Sequence, residues 1–440
     1  MMKIQSTRRV SIVAFLFCLS FAFSSIRAEE TVRTVREFRG QTMGTTYMVK
    51  VAGHDSVSDD EIRFAVDAEL RQVSDEMSTY LDSSEISRFN ASESTDWFAV
   101  SPSFAEVVQQ ALEISQLTNG AFDVTVGPLV NAWNFGPERS KSIPDAAEVA
   151  RIKASVGFKN LSVRLDPPAL RKSIPDLQVD LSSIAKGHGV DRVIAVLEGL
   201  SVINAFVEIG GEVRTVGDKP GGAWKVGIQL PDVERDTILV AHAMLKNEKA
   251  GNAMATSGDY RNYYVLDGKR YSHTIDPRTG SPVEHELASA TVIAPNCMLA
   301  DAWATAMCVV GPESALDLAK ANGLSVLLAE RDGNRDFEVT GTGVLQAYAV
   351  RTENVDADQV GTWATLIPVL IVTFGIFCIL LFAMAIGVIA GGRRISGSCG
   401  GIATKTNEDG STSCGLCSNP SDACKDLRDK MQQKPVSGSA

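Results

Sequence analysis

Asp301 and Thr305 stand four residues apart in the apolar stretch 298–309, a spacing that turns both side-chain oxygens to one face of a helix. A carboxylate and a hydroxyl are hard donors, and with a backbone carbonyl and water they can hold Mg²⁺ beside a phosphate. The same pair is also compatible with a local hydrogen bond inside an Ala-rich helix. His273 offers an imidazole that titrates near neutral pH, either as a general base or as a side chain that only steadies the turn Asp276-Pro277-Arg278-Thr279-Gly280. Between residues 119 and 137, glycines at 120, 127 and 136 alternate with Phe122, Trp133 and small polar groups. That composition suits a cradle for a flat ligand, or a turn carrying buried aromatics. Near the end of the chain Cys399, Cys414, Cys417 and Cys424 form one CxxC with two outlying thiols. Four thiolates can close a tetrahedral zinc or iron site, and the alternative is a set of free or redox-active thiols.

Elements able to position these groups can be read nearby. Ile62, Val66, Leu70, Val73 and Met77 recur at helical spacing behind Ser58 and Glu61, which have capping-box positions, so a helix is expected over Asp59–Met77. A second helix is expected over Pro102–Leu117, with Phe104, Val108, Ala111 and Leu112 on one face and Ser103/Glu106 as its start signal. A third runs over about 190–197 and stops at Gly199. Trp224, Val226, Ile228 and Leu230 alternate with polar or small residues as in a half-buried strand, and Gly210-Gly211 joins two strands as a hairpin. Strands and helices interleave irregularly, with no dinucleotide fingerprint, which points to a single α+β domain over 29–352 and away from a Rossmann fold.

The chain has 440 residues, 45% of them apolar, and a net charge of −11, so a large core is expected and no nucleic-acid surface is. Residues 1–28 carry a basic start and a short apolar run, the pattern of a signal peptide or an uncleaved N-terminal anchor. Residues 363–390 hold 28 positions without a charge, against the ~20 needed to cross a bilayer as a helix. Arg393 and Arg394 follow and favour the cytoplasmic side. The layout expected is thus a periplasmic domain, a linker at 353–362, one transmembrane helix in the cytoplasmic membrane, and a cytoplasmic Cys-rich tail at 391–440. Only Cys297 and Cys308 lie in the exported part between residues 29 and 352, so no disulfide framework is expected.

Taken in order, MGTTY (43–47), MSTY (77–80), GAFDVTVGPL (120–129), DLSSIAKG (180–187), ATSGDY (255–260), HTIDPRTG (273–280) and ADAWAT (300–305) resemble the ApbE-like family of FAD:protein FMN transferases. The resemblance covers about residues 38–350. It implies that FMN is moved from FAD to a Thr or Ser hydroxyl of an acceptor protein with release of AMP. It further implies that Met43, Tyr80, Ala121, Phe122, Asp123, Ser182, His188 and Ile275 line an FAD pocket. Ala185, through its carbonyl, matches the family's Mg²⁺ site together with Asp301 and Thr305. Ser182-Ser183 replaces the commoner pair of glycines, and His188 stands where Tyr is frequent.

Residues 363–424 resemble the small membrane-bound maturation protein of the sodium-pumping NADH:quinone reductase. Subunits of that complex, or of a related electron-transport complex, are therefore the expected acceptors, and the tail is expected to assist iron delivery. Two other readings use the same residues: an FAD pyrophosphatase with water as acceptor, and a non-catalytic flavin-binding assembly factor.

Overall fold

A computed structural model describes residues 35–349, apart from 54–55, 137–141, 232–237, 245–250, 261 and 334–336, together with 373–374, 377, 404–406 and 412–414. The chain divides between Asn354 and Val355 into two units.

The larger unit is organised on an eight-stranded sheet. Its strands are β1 (Val35–Thr42), β2 (Thr45–Ala52), β3 (Ala205–Ile209), β4 (Glu212–Val216), β5 (Ala253–Gly258), β6 (Leu287–Ala294), β7 (Ser325–Arg331) and β8 (Phe337–Gly341). Each pairs antiparallel with the next, so order in the sheet follows order in the chain. The long excursions between strands carry the main helices: α1 (Asp59–Met77), α2 (Pro102–Leu117) and α3 (Ala185–Gly199) between β2 and β3, and α4 (Cys297–Val310) between β6 and β7.

The sheet is covered on both faces, and β6 shows the consequence. Ala290, Val292 and Ala294 point into a cluster with Ala300, Ala304 and Met307 of α4, whereas Ile293 points into another with Trp224, Val226 and Met244. All eight residues of β6 are buried, so its sequence lacks the alternation of a half-exposed strand. The strand expected at Trp224 is present as Trp224–Gln229, with Trp224, Val226 and Ile228 turned inward. It pairs with Ile238–Met244 as a ribbon separate from the main sheet.

Local rules account for the helix starts. Ser58 accepts from the Glu61 amide while the Glu61 side chain returns to the Ser58 amide, the capping box expected for α1. α2 begins as expected at Pro102, but its cap is Ser101, whose hydroxyl accepts from the Phe104 amide. The start signal read at Ser103 is corrected accordingly: Ser103 is buried inside the first turn, while Pro102, with no N–H to satisfy, suits the first helical position. α3 starts at Ala185, earlier than the apolar spacing suggested, because its first turn is the glycine-rich Lys186-Gly187-His188-Gly189. In the β3–β4 hairpin Ile209 faces Glu212 across Gly210 and Gly211, whose φ values are +63° and +109°. Positive φ at both positions matches the twist of a two-residue hairpin and suits glycine, which has no Cβ to clash. Cys297 and Cys308 are free thiols in the core.

In the second unit, Thr404–Thr406 pairs antiparallel with Thr412–Cys414. Among the described residues no helix is long and apolar enough to cross a membrane. The segment 1–28, the linker 353–362 and the expected span 363–390, save residues 373, 374 and 377, lie outside the described residues, as do Cys399, Cys417 and Cys424.

Candidate active site

α3 and α4 start side by side because residue 187 is glycine. A Cβ there would lie 2.2 Å from the Cys297 carbonyl oxygen and 2.8 Å from Asp301 Cβ. The approach lets each helix cap the other. α3 has no side-chain cap of its own, and the Gly187 amide donates instead to Asp301 Oδ2 of α4 at 3.0 Å. In return, Asp191 of α3 accepts from the Cys297 and Met298 amides of α4, both at 2.9 Å, and from Arg214 at 2.7 Å. A carboxylate at a helix N-terminus takes up amides that lack partners within the helix and opposes the positive end of the dipole.

Asp301 therefore sits 1% exposed at the wall of a cavity of about 370 Å³, within the range of small-molecule sites. Lys186 and Glu212 share that wall. The Lys186 ammonium is 3.1 Å from Glu212 Oε1 and 3.6 Å from Asp301 Oδ1. Glu212 is 4% exposed, and its Oε2 has no hydrogen-bond partner among the described residues. Burial, reinforced by the Asp301 charge, raises the Glu212 carboxyl above its ordinary range, and the Lys186 ammonium beside it opposes that shift and favours the carboxylate. Burial would lower the Lys186 pKa, but Asp301 and Glu212 outweigh it and hold the ammonium above its ordinary value. One further turn along α4, Thr305 Oγ1 meets Ser257 Oγ at 3.1 Å. Among the described residues no three His, Cys, Asp or Glu side chains converge as a metal cluster, so a cation here would draw on hydroxyl and carbonyl oxygens as well.

His273 closes the cavity from another direction. Its Nδ1 lies 3.1 Å from the Asn262 carbonyl. Burial lowers its pKa, with the Asn262 bond opposing, so the imidazole is neutral at pH 7. A carbonyl only accepts, so the proton is on Nδ1 and Nε2 keeps its lone pair. The ring stands at the end of an aromatic column: Phe135 lies 6.3 Å from it, Tyr264 stacks on Phe135 at 5.2 Å, Tyr271 on Tyr264 at 5.2 Å, and Trp133 on Tyr271 at 5.8 Å. Trp133 is anchored by its indole N–H to the Gly280 carbonyl at 2.8 Å, within the HTIDPRTG turn.

The structure brings Ala121, Phe122, Asp123, Ser182, His273, Ile275, Asp301 and Thr305 together around this cavity. Asp123 is spent on the loop itself. Its Oδ1 accepts from the Thr125 amide and hydroxyl and its Oδ2 from the Phe158 amide, while burial raises its pKa. Four residues of the sequence reading do not line the cavity. Met43, at φ +48°, packs its side chain between two core clusters. Tyr80 is 74% exposed just beyond α1. Ala185 opens α3 next to Lys186. His188 is buried, with Nε2 3.0 Å from Ser103 Oγ, and burial together with Arg192 lowers its pKa to about 4. A helical turn explains that placement, because consecutive residues point about 100° apart and Lys186 already faces the cavity.

Sequence reasoning missed Glu212 and Asp191. Both act on partners distant in the chain, and the one local signal was the Gly210-Gly211 turn that delivers Glu212 to the cavity.

The ApbE family pattern matches residues 43–328. The FAD:protein FMN transferase of Vibrio cholerae is 43% identical over 303 residues, covering 68% of this chain and 89% of the relative. That of Escherichia coli is 37% identical over 357 residues, covering 80% of this chain and all of the relative. Among solved structures, the Vibrio cholerae flavin transferase ApbE superposes with a TM-score of 0.64 at 40% identity, covering 71% of this chain and 98% of its own. The apo flavinyl transferase ApbE of Pseudomonas stutzeri gives 0.65 at 38% identity, covering 72% and 97%. Fold, cavity and relatives together define an enzyme of the flavin transferase class. Within that class, the chain belongs to the ApbE family.

Proposed function

We propose that this protein transfers FMN from FAD to a Thr or Ser hydroxyl of a membrane redox-complex subunit and releases AMP. The observation that carries the reading is the meeting of Asp301, Thr305, Lys186, Glu212 and His273 on one cavity. Asp301 and Thr305 line the cavity and would hold Mg²⁺, and the family pattern adds the carbonyl of Ala185, which opens α3 one residue before the lining residue Lys186. The donors are all oxygen, and the Lys186 ammonium already answers the demand of two buried carboxylates for a cation. When bound, the ion neutralises charge on the diphosphate and on the departing AMP.

The chain's own groups supply the rest. His273 Nε2 takes the proton of the acceptor hydroxyl, whose oxygen bonds to the FMN-side phosphorus as the bond to AMP breaks. Phe122 and Ile275 offer apolar surface to a flat ring, and the cavity wall keeps the diphosphate in line with the attacking oxygen.

The test is to incubate the full chain with FAD, Mg²⁺ and subunits of a sodium-pumping NADH:quinone reductase, then weigh the subunits. Added FMN on a threonine with stoichiometric AMP supports the reading. AMP without labelled protein would mark water as the acceptor, a pyrophosphatase. Bound FAD with no AMP would mark an assembly factor.

Topology belongs to the same proposal. The charge-free stretch 363–390 followed by Arg393 and Arg394 supports one span, with the transferase periplasmic and the tail cytoplasmic. Cys399, Cys414, Cys417 and Cys424 would then bind iron or zinc for complex maturation, and Cys414→Ser with Cys417→Ser should impair reductase assembly while leaving flavin transfer intact.

A further inference from the structure

Asp301 and Glu212 both reach the cavity, and among the described residues one ammonium, that of Lys186, serves the two. Lys186 is nearer Glu212, at 3.1 Å, than Asp301, at 3.6 Å, and donates weakly to the Ser182 carbonyl at 3.5 Å. Glu212 is held at the end of a two-residue hairpin, and Asp301 is fixed by the Gly187 amide. The backbone that carries Glu212 and the carboxylate of Asp301 are therefore fixed, and the charge between them rides on a flexible four-carbon stem. A divalent cation and the Lys186 ammonium compete for Asp301 Oδ1, since Oδ2 is taken by the Gly187 amide and like charges at contact distance repel.

We propose that Lys186 is an internal counter-ion for Asp301: an arriving divalent cation displaces its ammonium from Asp301, and Glu212 retains it at the cavity wall. The inference rests on the reading of Asp301 as a cation ligand. Lysine suits the task because its ammonium is a compact point charge that can turn about its stem without breaking a planar, two-pronged contact as arginine would. The displaced ammonium stays 3.1 Å from Glu212, within reach of an anionic oxygen entering the cavity. Cation affinity in this site is accordingly a competition, weakened by Lys186 and protected by Glu212. Glu212 lowers the ammonium's hold on Asp301 and adds negative charge nearby, so both of its effects favour the cation.

The experiment measures Mn²⁺ binding to the FAD-free full chain by the electron paramagnetic resonance of free Mn²⁺. Lys186→Met should bind Mn²⁺ on the order of tenfold more tightly or better, and Glu212→Gln should bind it more weakly than wild type. Without metal, Lys186→Met should melt at a lower temperature, because two buried carboxylates lose their counter-ion, and Mn²⁺ should restore more of its stability than it adds to wild type. A Lys186→Met affinity equal to or below that of wild type overturns the proposal, as does tighter binding by Glu212→Gln. Lys186→Gln serves if the methionine variant does not fold. Asp301→Ala separates the two levels. If it binds Mn²⁺ like wild type, the cation site and the counter-ion role both fall. If it loses Mn²⁺ while Lys186→Met matches wild type, only the counter-ion role falls.

Discussion

The two ends of the cavity are built by different means. The carboxylate end is made from the starts of α3 and α4, clamped through a glycine, with acidic groups sealed in and amides as partners. The imidazole end is made from loops and the short strands Tyr263–Leu266 and Lys269–Ser272, steadied by stacked rings that end on the buried Trp133. Charge is thus fixed where two helix starts hold each other, and the His273 ring stands where stacked side chains and the Asn262 carbonyl hold the chain instead. A substitution at the first end should be felt in folding and chemistry together. At the second end the two should separate.

Asp301→Ala gives the largest expected effect. Transfer should fall by roughly 100-fold or more, as when a metal site loses support, and an uncapped α3 should lower the urea midpoint in the same protein. A normal midpoint with lost activity would break the coupling claimed for this end. His273→Asn should lower transfer by on the order of 10²-fold through loss of a general base, with stability near wild type. Because its pKa lies below the ordinary 6.5, the wild-type rate should stay flat near pH 7 and fall only on acidification; that acid limb should vanish in the variant. Gly187→Ala forces a methyl into the Cys297 carbonyl and should cost about 1–3 kcal/mol by chemical denaturation, with cation binding weakened as well.

His188 sharpens the contrast from outside the cavity. Its folded pKa is about 4 against 6.5 unfolded, so the unfolded chain takes the proton first. Its contribution is complete above pH 6.5 and is lost as the pH falls toward 4, by about 1–2 kcal/mol at pH 5. Denaturation of His188→Gln across that window should show a shallower slope, with transfer little changed at pH 7.5. The smallest effect is expected at Tyr264, whose buried hydroxyl has no partner among the described residues. Tyr264→Phe keeps the stacking ring and should change stability by no more than about 0.5 kcal/mol.

Much of this was legible in the residues. Ser58, Glu61 and the run from Ile62 to Met77 define α1 through contacts within a turn or two, and Gly210-Gly211 signals its hairpin by itself. β6 was hidden because burial on both faces erases alternation. In the site, the family resemblance placed Asp301, Thr305, Phe122 and Ile275 beside one another, which spacing alone could not do across so many residues. It did not distinguish lining residues from supports: His188 bonds to Ser103, and Asp123 ties its own loop. Glu212 and Asp191 had no local signature, since their partners come together only when the sheet and two helices assemble.

The reciprocal capping of α3 and α4 also works as a registration lock. Sliding or rotating either helix by one residue turns its side chains by about 100° and takes Asp301 from the Gly187 amide and Asp191 from the Cys297 and Met298 amides at once, leaving α4 only its own Asn296 cap. The cavity's charged groups therefore have one alignment in which the fold is satisfied, and it is the alignment in which they face each other. For protein engineering, this end of the molecule is closer to a fixed die than to an adjustable fitting. New acceptor preferences should be sought by altering the aromatic end, where changes do not reset the helices.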